Sequence, residues 1–235
     1  MSLEVITHTD RKSPISEAYR TLRTNIQFAN VAQQMQTIAI TSSVMSEGKT
    51  TIVTNLAETF AQAGQRVLVI DADLRRPRVH KVFNLSNQKG LTNVLASQVS
   101  LQDVLQTVGS NIHVLTSGPL PPNPSELLGS NQMKKVVSLA KQQYDIVLFD
   151  TPPVNAVTDA SALSTEMDGI ILAIASGKTE IDGAKRAVKL LQAVNANIIG
   201  TVMTMIPVTN KGYYGYKYYS YQEDTPKKRK RRFSK

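Results

Sequence analysis

Short runs of consecutive apolar residues recur along the chain, at 37–41, 66–70, 112–116, 145–149, 169–175 and 197–204. None shows the in–out alternation of a half-exposed strand, so they predict strands covered on both faces. Between them the apolar residues fall at helical spacing. Pro14 opens a helix reaching about Asn30, with Ser13 or Ser16 as cap and Ala18, Leu22, Ile26 and Ala29 on one stripe. Ile52, Val53, Leu56 and Phe60 predict a helix over 52–63, closed by Gly64. Further helices are predicted from 125 to about 143, over 158–165 and over 180–195. Residues 77–110 hold shorter helical patterns, one starting at 90–95 and another at 101–108. The prolines of 117–124 predict a rigid loop. Residues 1–13 read as a loose polar arm.

A strand, a helical crossover and a second buried strand make a parallel β-α-β unit. Repeated along the chain, that unit predicts an α/β fold with a doubly wound, mostly parallel sheet. Ligands of such sheets bind outside the carboxyl ends of the strands. The chemically suggestive residues all fall there.

After the first strand the chain reads Ser43-Val44-Met45-Ser46-Glu47-Gly48-Lys49-Thr50-Thr51 and then enters a helix. This matches the phosphate-binding loop G-x-x-x-x-G-K-[ST], with Ser43 where the first glycine stands. Backbone N–H groups of residues 43–51 would face the phosphates of ATP, Lys49 would reach the β- and γ-phosphates, and Thr50 would hold Mg²⁺. Serine tolerates positive φ less well than glycine, so the loop is expected to turn differently at Ser43. The second strand ends in Asp71-Ala72-Asp73, whose carboxylates share one face in extended chain. Asp150 closes another apolar strand and is placed to bind Mg²⁺. Carboxylates gathered this way repel unless a cation lies between them. The bland reading of each is a cap on the following helix.

Composition changes this picture little until charge is located. The chain has 235 residues, 41% of them apolar, enough for one large domain. It has no cysteine, which makes a reducing cytoplasm the default. No apolar run reaches the length of a membrane span, and the first residues lack a signal pattern. The net charge is +9, but residues 226–235 hold seven bases and no acid; without them 20 bases face 18 acids. The basicity therefore belongs to a tail, and no nucleic-acid partner is expected of the near-neutral body. Tyr213, Tyr214, Tyr216, Tyr218, Tyr219 and Tyr221, six of eight tyrosines, precede that basic run. Residues 1–206 thus predict one domain, and 207–235 a disordered tail.

Together these motifs resemble the bacterial tyrosine kinases of capsule and exopolysaccharide systems, in the form of the separate cytoplasmic kinase chain of Gram-positive bacteria. The resemblance runs from about Ser16 to Tyr221. It rests on the loop 42–51, on 67–75, on 146–153, on 116–128 and on the tyrosine cluster. It implies a protein-tyrosine kinase using ATP and Mg²⁺ on a P-loop NTPase fold. Asp73 would assist deprotonation of tyrosine, Asp71 and Asp150 would serve the metal, and Lys49 the phosphates. Glu17, Arg20 and Arg23 by themselves read as a solvated helix face. They also match the family's E-x-x-R-x-x-R motif, which implies assembly into a ring. The tyrosines of one subunit would then be phosphorylated by its neighbour, and a membrane-spanning adaptor would activate the kinase at the inner face of the cell membrane.

Met45-Ser46 stands where the family often has Pro-Gly. The last strand lacks the asparagine that related ATPases place against adenine. The alternative, a partition or division ATPase acting as a switch, usually carries an extra lysine early in the loop, and 42–48 has none. The tail is also expected to act as a charge switch. Each base contributes about 1 kcal/mol near an anionic membrane. Six phosphotyrosines would add roughly −9 to −12 and more than cancel the basic run. Co-sedimentation with anionic vesicles should therefore retain the unmodified chain and release the fully phosphorylated one. Equal binding of both forms would overturn the switch.

Overall fold

The structure, a computed structural model, describes residues 5–29 and 35–207. The tyrosine cluster and the basic run, which make up most of the tail expected over 207–235, lie outside the described residues. The strands are β1 (Thr37–Ser42), β2 (Val67–Asp71), β3 (Gln106–Val108), β4 (Ile112–Leu115), β5 (Ile146–Asp150), β6 (Gly169–Ala175) and β7 (Ile198–Thr204). They form one sheet in the order β3-β4-β2-β5-β1-β6-β7. All pairs are parallel except β3 with β4. The helices are α1 (Ile6–Thr9), α2 (Pro14–Phe28), α3 (Lys49–Gln62), α4 (Val79–Val82), α5 (Leu91–Leu95), α6 (Pro124–Leu128), α7 (Asn131–Gln143), α8 (Asp159–Ser164) and α9 (Ile181–Ala193).

Both faces of β1, β2, β5 and β6 are covered, as their continuous apolar runs require, whereas β7, expected to be covered likewise, has no buried residue because it lies at the end of the sheet. Val67 and Val69 of β2 face a core shared with Ile52, Leu56 and Phe60 of α3 and Ile26 of α2. Leu68 and Ile70 of the same strand face the opposite core, with Leu91, Val136, Leu163 and Leu191 from α5, α7, α8 and α9. The doubly wound, mostly parallel sheet expected from the alternation is therefore present. In this order β1, which leads into the phosphate loop, lies beside β5, and β5 lies beside β2. The topology thus gathers the three motifs at adjacent strand ends.

Four local expectations need correction. Residues 6–9 form α1, where a loose arm was expected. Thr7 is buried and donates from its backbone N–H to Asn55 Oδ1 at 3.0 Å. A polar docking of this kind leaves no hydrophobic period. The segment 101–108 is a 3-10 turn at Gln102–Val104 followed by β3. Three residues pairing on β4 are too few to show alternation. The helix expected from 125 divides at Gly129, and Ser130 caps α7 by accepting from the Met133 N–H. Helix α3 begins at Lys49, inside the loop motif. The cap of α2 is Ser13, which accepts from the Ser16 N–H at 3.1 Å.

At the amino ends of the strands, Asp168 fixes the start of β1. Its Oδ2 accepts the N–H groups of Gln36 and Thr37, each at 2.9 Å, and its Oδ1 accepts Lys141 Nζ at 2.7 Å. Burial opposes ionisation of Asp168, but these hydrogen bonds outweigh it and hold the carboxyl below its ordinary range. Asp168→Asn should cost about 1–2 kcal/mol at pH 7 in urea unfolding. A depressed folded-state pKa contributes stability that is complete above the unfolded value and lost as pH falls through the folded one. The gap between variant and parent should therefore hold down to pH 5 and narrow below about pH 4. A gap constant to pH 3 would remove the carboxylate as its cause.

Candidate active site

The loop between β1 and α3 turns where its small residues allow. Left-handed backbone occurs at Ser46 (φ 60°) and Gly48 (φ 89°), and Ser43 has no positive φ. The serine therefore meets no conformational penalty, and the turn that the motif's first glycine would ease is made further along. Glu47 holds this shape. It is fully buried, and its carboxylate accepts the Ser43 hydroxyl at 3.0 Å, the Val44 N–H at 2.9 Å and the Thr179 hydroxyl. Thr204, ending β7, donates to the Glu47 carbonyl at 2.8 Å. Lys178 donates to the carbonyls of Met45 and Ser46, each at 3.1 Å. Val44, Met45 and Ser46 are exposed at the rim, whereas Glu47 offers no surface to a ligand.

Lys49 is the first residue of α3 and lies nearly buried, its Nζ donating to Ser42 Oγ at 3.0 Å. Burial lowers its pKa, while the charges of Asp150, Asp73 and Glu47 oppose that shift. The unpaired N–H groups of the first turn of α3 and its dipole add positive character at the same point.

Register brings the aspartates together. Asp71 of β2 is paired with Asp150 of β5, and both are buried. Thr50 Oγ1 donates to Asp150 Oδ2 at 2.6 Å. Asp71 Oδ2 accepts the N–H groups of Arg78 and Val79 at 3.0 Å each, so the capping reading holds for that one oxygen. The other oxygen of each, Oδ1, is buried without a hydrogen-bond partner. Burial raises both pKa values, that of Asp150 to about 7; the charge of Asp150 raises Asp71 further, while the Thr50 hydroxyl and Lys49 oppose the rise at Asp150. Asp73 lies beyond the strand end and is half-buried. Its Oδ1 accepts the Arg76 N–H at 2.9 Å, and its charge pushes both neighbours up. The two aspartates of Asp71-Ala72-Asp73 therefore have different surroundings, one inside the sheet edge and one at its surface.

Two orphaned buried carboxylate oxygens beside a threonine hydroxyl and a lysine fit a divalent cation shared with phosphate oxygens. Among the described residues no group of three or more His, Cys, Asp or Glu stands ready to hold a metal alone. Mg²⁺ suits that arrangement, because it is usually bound by one or two carboxylates together with substrate phosphates and water.

The chain matches the family described as an AAA domain over residues 35–203. It is 47% identical to the tyrosine-protein kinase YwqD of Bacillus subtilis (strain 168), over 92% of each chain. It is 37% identical to the putative tyrosine-protein kinase CapB of Staphylococcus aureus, over 92% of this chain and 94% of that one. The chain belongs to the bacterial tyrosine kinases. The crystal structure of the chimerical protein CapA2B2 superposes on this kinase with a TM-score of 0.83, at 40% identity over 86% of this chain and 90% of that one. The kinase reading thus stands over the switch-ATPase alternative.

The structure of the kinase also places residues that the sequence did not single out. Arg75 forms a two-pronged pair with buried Asp159, Nε to Oδ2 at 2.9 Å and Nη2 to Oδ1 at 3.0 Å, and Ser125 donates to the same carboxylate. This cluster ties the segment after β2 to the start of α8 and to α6. Glu17, Arg20 and Arg23 lie on α2, apart from the aspartates. Glu17 pairs with Arg20 at 2.6 Å, and Arg23 donates to the Thr59 carbonyl at 2.8 Å. Glu47 stands in the motif, but only its three donors, one of them 132 positions away, reveal a brace. Glu47→Ala should weaken ATP binding about tenfold and lower stability by about 2 kcal/mol, by leaving buried donors unpaired. Calorimetric titration and thermal melting measure the two, and unchanged ATP affinity would show that the loop keeps its shape without the carboxylate.

Proposed function

We propose that the kinase transfers the γ-phosphoryl group of ATP to the tyrosines at 213–221 of a neighbouring copy, and so regulates capsular or extracellular polysaccharide synthesis and export. The observation that carries this reading is the pair of buried, unpartnered oxygens on Asp71 and Asp150 beside Lys49 and Thr50. Bound there, Mg²⁺ would neutralise charge on the phosphates. Thr50, Asp71 and Asp150 would hold it, directly or through water. Lys49 and the N–H groups of Gly48, Lys49, Thr50 and Thr51 hold the β- and γ-phosphates, whereas the Val44 N–H, expected among them, is taken by Glu47. Asp73, at the surface, takes the proton of the incoming tyrosine hydroxyl. The phenolic oxygen then bonds to the γ-phosphorus as the β–γ bridge breaks, and ADP leaves.

Assembly supports transfer between subunits. Glu17, Arg20 and Arg23 mark the assembling face of α2, and Ile15 and Phe28 of the same helix are exposed. No helix among the described residues is long and apolar enough to cross a membrane. A separate membrane-spanning adaptor is the partner that brings the kinase to the inner membrane face and activates it.

Incubation with ATP and Mg²⁺ followed by phosphotyrosine mapping tests the reading. Label should appear within 213–221. Lys49→Met should lower transfer by about 10²–10³ through lost charge stabilisation, and Asp73→Ala by about 10²–10⁴ through the lost proton acceptor. ATP hydrolysis without tyrosine label would overturn the proposal.

A further inference from the structure

Beside the catalytic edge lies a cleft of about 480 Å³ whose charge the mechanism leaves unused. Arg76, Arg78, His80 and Lys81 line it, and no carboxylate among the described residues does. Pro119 and Leu120 form an apolar wall, Leu120 being largely exposed. The arginines and the lysine place three permanent positive charges around one concavity. Unbalanced cations gathered in a cleft focus a field that selects an anion.

The cleft is continuous with the candidate site. Asp71 accepts the N–H groups of Arg78 and Val79, and Asp73 accepts those of Arg75 and Arg76. The Arg76 guanidinium also reaches Met45 Sδ of the phosphate loop at 3.2 Å. The segment 73–81 therefore carries both the proposed proton acceptor and the cations, and the charge of Arg78 is also felt at Asp150 and Lys49. A peptide offering a tyrosine to Asp73 would bring its neighbouring residues beside this cleft.

We propose that the cleft of Arg76, Arg78, His80 and Lys81 binds a phosphotyrosine of a second copy's 213–221 cluster while another tyrosine of the same cluster reaches Asp73. This rests on the proposed reading of the kinase. The chemistry fits on three counts. A phosphotyrosine carries about −1.5 to −2 charges and three acceptor oxygens. Guanidinium groups meet such oxygens with paired N–H donors. The aromatic ring finds the wall of Pro119 and Leu120. The cluster supplies the spacing, because Tyr214 and Tyr216, and Tyr219 and Tyr221, stand two apart. In extended chain that is about 7 Å with both side chains on one side. Each phosphorylation then creates the anchor for the next.

The test reads binding without ATP, so it stands whether or not phosphoryl transfer is seen. The phosphatase-treated full chain is titrated into labelled peptides of residues 213–224, unmodified, phosphorylated at Tyr219, or carrying phosphoserine at that position, and anisotropy is followed. The phosphotyrosine peptide should bind at least tenfold more tightly than the unmodified one and more tightly than the phosphoserine one. Arg76→Gln combined with Lys81→Gln should abolish that preference while leaving thermal melting unchanged. Equal binding of modified and unmodified peptides would overturn the proposal, since Glu223 and Asp224 would then suffice as the anion. So would equal binding of phosphoserine and phosphotyrosine peptides, or a preference that survives the double substitution. The kinase reading fails separately, if phosphotyrosine mapping with ATP finds no label.

Discussion

Two carboxylates on neighbouring strands, both out of contact with water, set the terms for this protein. Asp71 and Asp150 stand in register on β2 and β5, and each keeps one oxygen without a partner. Buried like charges are costly unless a proton or a cation lies nearby. The surroundings compensate in part, through the Thr50 hydroxyl and Lys49 at Asp150 and two backbone N–H groups at Asp71. The remaining demand is for positive charge at the mouth of the phosphate loop. The unliganded fold thus already carries the charge arrangement that the proposed metal nucleotide would meet. Strand order, register and the double covering of the sheet are what keep the two groups side by side and dry.

Much of this was legible in the residues, and what was legible was local. Continuous apolar runs announced strands because burial on both faces leaves no polar alternation. Gly48-Lys49-Thr50 announced a phosphate loop because its chemistry is contiguous. The aspartates were found because each ends such a run. The missing parts join distant positions: Glu47 with Thr179, Arg75 with Asp159, Asp168 with Thr37, Thr7 with Asn55. Polar pairs of this kind leave no period. Ser43 also shows how a motif letter misleads when read alone, since positive φ occurs at Ser46 and Gly48 instead.

Three separate stretches converge on the loop and its neighbours through side chains rather than through the sheet. Lys178 and Thr179 reach it from the end of β6, Thr204 from the end of β7, and Arg75 ties the segment after β2 to Asp159. Hydrogen bonds to buried ionised groups are stronger than neutral ones and cost more to break. Rigidity is therefore concentrated around the nucleotide loop, while Val44 to Ser46 at its rim remain exposed.

The contact at Thr204 has a consequence for cooperativity. Strand β7 is an edge strand, bonded on one side only, and edges are where sheets open first. Here its last residue is bonded to the Glu47 carbonyl, and its methyl group lies against Gly48, where an added Cβ would come within 3.2 Å. Fraying of the final strand therefore loosens the turn that shapes the loop, and an occupied loop would in turn hold the edge closed. Local melting of this edge and nucleotide affinity are then two readings of one opening equilibrium.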